Sequence, residues 1–144
     1  MSLALNKDEL ADFLHEVFPQ VRDDFAIDAL SMDGMTMRLL TAERHLRPGG
    51  TVSGPSMFAL ADVTVYALVL SRVGRQALAV TTSCSLDFMR KPASGVDLIA
   101  KGRLLKLGKL LAVGDVLIFS EGSEAPVARA TMTYAIPPAH SSGK

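Results

Sequence analysis

Apolar residues change their spacing several times along the chain, and each change marks an element. In "DELADFLHEVFPQV", Leu10, Phe13, Leu14, Val17 and Phe18 recur at helical spacing. With Asp8 as the expected N-cap, this predicts an amphipathic helix lying on the rest of the fold. "FAIDALSMDGMTMRLLT" alternates in two short runs joined by Asp33-Gly34, a hairpin signal. After "GGTVSG", the stretch "PSMFALADVTVYALVLSR" runs on without internal Gly or Pro and is apolar almost all round. Its β-branched residues leave a strand as the rival. Pro55 suits a first helical turn, however, and the run exceeds ordinary strand length, so a helix is expected over residues 55–71. The remainder alternates as strands. "ALAVTTSCSLDFMR" places Thr82, Cys84, Leu86 and Phe88 on one side and Thr81, Ser83, Ser85 and Asp87 on the other. "VDLIAKGRLLKLGKLLAVGDVLIFSEG" reads as two long strands meeting near Leu107-Gly108, and "PVARATMTYAIPP" as a last strand ended by Pro137-Pro138.

Segregated helices and strands indicate an α+β fold. No linker or repeat divides the chain, so residues 1–138 are expected to form one domain, followed by a polar tail, residues 139–144. A helix this apolar needs cover on most sides, which a curved sheet wrapped around it would supply. Such a sheet leaves one edge open to a second subunit, and a homodimer is expected, with a dimer of dimers as the larger assembly.

Composition narrows the classes. The 144 residues carry 15 basic and 15 acidic groups, a balance that argues against a dedicated nucleic-acid or membrane-surface binder. The charge is unevenly spread: residues 90–144 hold 8 basic against 4 acidic groups, a better host for an anionic ligand than the acidic first part. Cys84 is the single cysteine, which excludes an internal disulfide and a thiolate zinc cluster. The start, "MSLALNKDELADF", lacks the pattern of a signal peptide, and the apolar run over residues 57–70 is short for a membrane span and carries Asp62. A soluble, cytoplasmic protein is expected.

Asp62 is the only charged residue between Arg47 and Arg72. A buried, ionised carboxylate without partners costs several kcal/mol, so a fold pairs it, protonates it or uses it. It either faces a gap in the sheet or caps a loop, or it carries chemistry. The loop before it ends in Ser53-Gly54-Pro55. N–H groups at a helix start lack intrahelical acceptors and can polarise a carbonyl, and since Pro55 has none, Gly54 N–H is the expected donor. Simple capping by Ser53 explains the same residues. Arg90, Lys91, Lys106 and Lys109 fall at strand ends, where basic residues either protect edges or meet phosphates. His15 is expected to be exposed, His45 is a site candidate in the loop leading to Ser53-Gly54, weakened by the lack of a carboxylate near it in sequence, and Cys84 is expected to be a small core residue.

"GGTVSGPSMFALAD", "VTTSCSLDFMRKPA" and "LLKLGKLLAVGDVLIFSEG" together resemble the hotdog-fold thioesterases of the phenylacetate-pathway (PaaI-like) type, over roughly residues 25–137. In that family a His-Gly-Gly opens the central helix and an acid follows nine residues after the His. Here Ser53 replaces the His, Gly54 matches, Pro55 replaces the second Gly, and Asp62 takes the acid position. Arg47 stands where the family often has Asn, and Phe88-Met89-Arg90-Lys91-Pro92 resembles its Phe-Leu-Arg-Pro strand motif. The resemblance implies a six-stranded antiparallel sheet around a long helix, dimers or tetramers, and metal-independent hydrolysis of acyl-CoA at the dimer interface. Coenzyme A would enter only as part of the substrate, with no other cofactor. Asp62 would be nucleophile or general base, Gly54 N–H would polarise the carbonyl, and Thr81 matches a water-orienting hydroxyl. Arg47, Ser53 and Pro55 would border the substrate, with Arg47 able either to hold a substrate carboxylate or to occupy the pocket itself. Arg90, Lys91, Lys106, Gly108 and Lys109 would meet the nucleotide phosphates. A non-catalytic acyl-CoA-binding module and a structural hotdog subunit, with Asp62 paired across an interface, are the alternatives.

Overall fold

Asn6, rather than Asp8, starts the first helix. Its side chain accepts the Glu9 N–H while the Glu9 carboxylate accepts the Asn6 N–H, each at 2.9 Å, a reciprocal cap that closes the first turn of α1 (Lys7–Val17). Asp8 lies inside that turn, where negative charge suits the helix dipole. The predicted stripe is turned inward, with Leu10, Phe13 and Leu14 buried. The computed structural model describes residues 2–138, so the polar tail expected over residues 139–144 lies outside the described residues.

A hairpin follows, β1 (Phe25–Ser31) and β2 (Gly34–Leu39). Its turn is Met32-Asp33, one residue earlier than expected, because Gly34 already pairs with Ser31. A Cβ on Gly34 would stand 2.5 Å from the Gly102 carbonyl oxygen of the neighbouring strand, so glycine is needed there for close approach. The apolar run forms α2 (Gly54–Val73) with Ser53 as N-cap. Four strands complete the chain: β3 (Val80–Phe88), β4 (Leu98–Leu107), β5 (Leu111–Ser120) and β6 (Pro126–Ala135). One antiparallel sheet results, in the order β1-β2-β4-β5-β6-β3. This is the hotdog architecture, with α2 as the filling and α1 as an added N-terminal helix.

α2 lies chiefly on β4 and β5 and buries Leu60, Val65, Leu68 and Leu70 almost completely. Each such side chain contributes about 1.5–3 kcal/mol. Close seating depends on two strand glycines: a Cβ on Gly102 would stand 2.8 Å from Thr64 Cγ2, and one on Gly114 2.8 Å from Val65 Cγ1. At 20 residues α2 is long and apolar enough to cross a membrane, longer than the run suggested, yet 67% of its most apolar window is buried inside the fold. Burial, not length, makes it a core helix.

β3 departs most from its sequence pattern. Its pairing with β6 slips between Thr81 and Ser83, leaving Thr82 as a bulge. The extra residue reverses the alternation, so Thr81, opposite Tyr134, shares the inner face with Cys84, Leu86 and Phe88. Cys84 is nevertheless exposed, not a core residue, because β3 is the outer strand of the sheet and reaches beyond the cover of α2.

Candidate active site

Asp62 sits on the third turn of α2, half-buried, turned toward the paired ends of β3 and β6. Thr81 Oγ1 donates to Asp62 Oδ1 at 2.6 Å, and Tyr134 Oη donates to the same oxygen at 2.6 Å. Tyr134 Oη also lies 3.0 Å from the Asp62 carbonyl oxygen, so the phenol is seated over the helix backbone. Both donors use Oδ1, and no group among the described residues bonds Oδ2. The carboxylate is therefore anchored at one oxygen and open at the other. Burial, and then its bond to Asp62, push the Tyr134 hydroxyl well above the usual tyrosine range, so it remains a protonated donor at any physiological pH.

A cleft of about 300 Å³ opens on this acid, walled by Val17 and Phe18 of the N-terminal segment, Tyr66 of α2, and Ala79 and Val80 at the start of β3. Tyr66 donates to the Ala77 carbonyl at 2.7 Å and holds the chain that enters β3. Cys84 lies within the electrostatic reach of Asp62: desolvation, and then the carboxylate, raise its thiol above the ordinary value. That disfavours the thiolate and argues against a cysteine nucleophile.

A second cluster forms at the start of α2. Ser53 Oγ accepts the Ser56 N–H at 3.3 Å, and the Ser53 carbonyl accepts the Met57 N–H at 3.1 Å. Gly54 N–H is left with no acceptor among the described residues. A Cβ on Gly54 would stand 3.2 Å from Phe88 Cζ, so the absent side chain lets the β3 ring lie against the helix start. Gly54, Arg47, Arg90 and Lys91 line one cleft of about 410 Å³, together with Phe88 and Met89. Three cations beside an unbonded amide make an anion-receptive surface.

The loop presenting Gly54 is fastened from beneath by His45, which the sequence marks only as a weak candidate. His45 is 6% exposed. Its Nδ1 accepts the Ala42 N–H at 2.9 Å, and its Nε2 lies 2.9 Å from Asp24 Oδ1. Since Nδ1 is an acceptor, the ring carries its proton on Nε2 and donates it to Asp24. The His45 carbonyl accepts the Ser53 N–H at 2.8 Å, so the Asp24–His45 pair sets the residue that caps α2. Burial raises the Asp24 carboxyl, but hydrogen bonds from Arg44 and His45 outweigh it and hold the group below the ordinary aspartate value.

The structure thus brings Thr81 to Asp62, and Arg47, Arg90 and Lys91 to Ser53-Gly54-Pro55. It does not bring Lys106, Gly108 and Lys109 to either group. Lys106 is the next-to-last residue of β4, and Gly108 forms the β4–β5 turn through its N–H bond to the Leu111 carbonyl. Lys109 lines a cleft with Val73 and Gln76, at the opposite end of α2 from Gly54. Tyr134 was missed as a site residue. The one signal for it is its inward register after Ala128, Ala130 and Met132, since a buried phenol needs a partner for its hydroxyl.

The profile of the thioesterase superfamily matches residues 49–127, a span that contains Gly54, Asp62, Thr81, Arg90 and Lys91 and leaves Arg47 and Tyr134 outside it. No curated protein matches the chain. Among solved structures, a candidate thioesterase from Silicibacter sp. TM1040 is 70% identical, with 96% of each chain covered and a TM-score of 0.90. The phenylacetic acid degradation protein PaaI from Thermus thermophilus is 25% identical over 83% of this chain and 99% of its own, with a TM-score of 0.71. A hypothetical thioesterase from Streptococcus pneumoniae, crystallised with coenzyme A, is 19% identical over 90% of this chain and 97% of its own, with a TM-score of 0.72.

Proposed function

The chain belongs to the thioesterase superfamily, and we propose that it hydrolyses a coenzyme A thioester to the free acid and coenzyme A, with Asp62 as the general base. The observation that carries this reading is the carboxylate held at Oδ1 by Thr81 and Tyr134 while Oδ2 faces an open cleft. A base fixed in orientation, with one oxygen unengaged, can take a proton from a water at hydrogen-bond distance. The resulting hydroxide adds to the thioester carbon, and the carbonyl π electrons move to oxygen, where the Gly54 N–H receives the charge. Collapse restores the carbonyl and expels the thiolate of coenzyme A, which takes the proton back from Asp62. Direct attack by Oδ2 through an anhydride is the variant of the same chemistry.

One chain does not complete this arrangement. Gly54 and Asp62 are eight residues apart on α2, about 12 Å along the axis. Base and oxyanion donor must both reach one carbonyl, which requires them within roughly 6 Å of each other. A second copy therefore supplies the Gly54 amide to the Asp62 of the first, and the homodimer is the active unit. The β3 edge supports this assembly: its ladder is unpaired on one side among the described residues, and Leu78 and Val80 are 79% and 55% exposed beside Asp62's cleft. On the outer face of the sheet, exposed Leu111 and Leu117 suit a contact between dimers.

Coenzyme A phosphates are assigned to Arg47, Arg90 and Lys91. Coenzyme A in the Streptococcus pneumoniae neighbour makes this carrier the one to try first. The double anchoring of Asp62 Oδ1 also fits a structural acid in a subunit that only binds thioesters, or in one that binds none. Thiol release across a panel of acyl-CoA thioesters, with wild type beside Asp62→Asn, separates hydrolysis from both alternatives.

A further inference from the structure

Beneath α1 the fold leaves a cavity of about 350 Å³ that lies outside the Asp62 cleft. Leu14 and Phe18 wall it on the helix side, Val21 in the turn after the helix, Ile27 on β1, and Met37 and Val63 at its base. Its polar lining residues, His15 and Arg22, are both exposed. Phe18 and Val63 also line the Asp62 cleft, so the two spaces meet at these side chains. Val63 directly follows Asp62 on α2, which puts the apolar cavity within one residue of the carboxylate.

We propose that this cavity receives the acyl group of the substrate and selects an unsubstituted hydrocarbon chain of about eight to ten carbons. The assignment rests on the reading of Asp62 as the acid that faces the thioester. With the carbonyl at Asp62, a chain that passes Phe18 and Val63 has the apolar cavity as its continuation. At ~30 Å³ for each water-sized group, the cavity holds roughly ten such groups. A substituent with its own hydrogen-bonding needs would lose water inside an apolar lining, at a cost of roughly tenfold or more in affinity. Apart from His15 and Arg22 the lining is predominantly apolar, so each methylene added within the cavity removes more apolar surface from water.

The test uses S-alkyl coenzyme A thioethers of two to fourteen carbons, which bind without being hydrolysed and so read the cavity independently of turnover. Titration calorimetry on the wild-type protein should show affinity rising up to about fourfold per added methylene, then levelling near ten carbons. Ala11→Phe, which fills the cavity from α1, should move that plateau several carbons shorter. Should circular dichroism show that Ala11→Phe does not fold, Ala26→Leu intrudes from β1 and carries the same expectation. Affinity that does not change with chain length, absence of binding at every length, or a plateau unmoved in the folded variant overturns the proposal. So does an ω-carboxylated thioether that binds as tightly as its plain counterpart, since Arg22 would then be the recognising group. A protein that shows the chain-length dependence but releases no thiol from acyl-CoA loses the hydrolase reading and keeps the cavity. Flat affinity beside measurable hydrolysis does the reverse.

Discussion

Tyr134 and Asp62 are 72 residues apart in the chain, and the fold sets the Tyr134 hydroxyl 2.6 Å from Asp62 Oδ1. With Thr81 at 2.6 Å on the same oxygen, the orientation of the acid is decided by two strands, not by the helix that carries it.

Tyr134→Phe removes one anchor and leaves the ring to pack. Thioester hydrolysis should fall about tenfold to a hundredfold in kcat with KM little changed, because the lost bond orients the base without touching coenzyme A. Thr81→Val should act in the same direction and Thr81→Ser should retain most activity. Steady-state kinetics of the three variants check this. The raised Tyr134 pKa also makes a pH prediction. The protonated hydroxyl's contribution to stability is full below the ordinary tyrosine value of about 10 and is lost only as pH rises toward the folded value above it. Urea midpoints should therefore hold steady to about pH 10, with no step from this group.

Asp24 makes the opposite prediction at the acid end. Its folded pKa lies below the ordinary aspartate value of about 3.9, so its stabilisation is present above that pH and is lost as pH falls through the folded value. Asp24→Asn should remove that part of the acid sensitivity, visible as a flatter dependence of the urea midpoint between about pH 5 and 2. The same variant should lower kcat, since the Asp24–His45 pair holds the Ser53 backbone. Unchanged kcat would mean that the loop keeps its shape without the pair.

Arg47 reads from sequence as a partner for a substrate carboxylate, and its neighbours favour another role. Beside Arg90 and Lys91 at Gly54, it belongs to a cluster suited to phosphate. Arg47→Ala should raise KM severalfold for neutral and dicarboxylic acyl-CoA alike, and the difference from wild type should shrink at high salt. A loss confined to dicarboxylic substrates would return the residue to the acyl end.

Assembly gives a prediction that needs no substrate. Light scattering at micromolar concentration should find a homodimer or a dimer of dimers. Val80→Glu, on the exposed edge strand, should weaken assembly and activity together. An active monomer would contradict the composite site.

The features legible in the sequence are the local ones. The apolar run, the cap at Ser53 and the lone acid at Asp62 all depend on neighbours within one or two helical turns, and each sits where its pattern put it. Cross-chain pairing erased the rest. Thr81 reads as facing away from Cys84, and only the bulge at Thr82, set by register against β6, turns it toward Asp62. Asp24 and His45 are 21 residues apart with nothing in their spacing to join them. Lys106 and Lys109 look like companions of Arg90 because all lie at strand ends. Which end depends on strand order, and the sheet puts them at the far end of α2.

Asp62→Asn is the most direct test, because it keeps the shape of the side chain and its contacts near Thr81 and Tyr134 while removing the charge to which proton abstraction is assigned. Thiol release from the best acyl-CoA substrate should fall at least about a hundredfold, with dimerisation unchanged and coenzyme A affinity within about twofold, since its phosphates are assigned to Arg47, Arg90 and Lys91. An Asn variant that hydrolyses that thioester at near wild-type rate would make Asp62 a structural acid and remove the basis of the account.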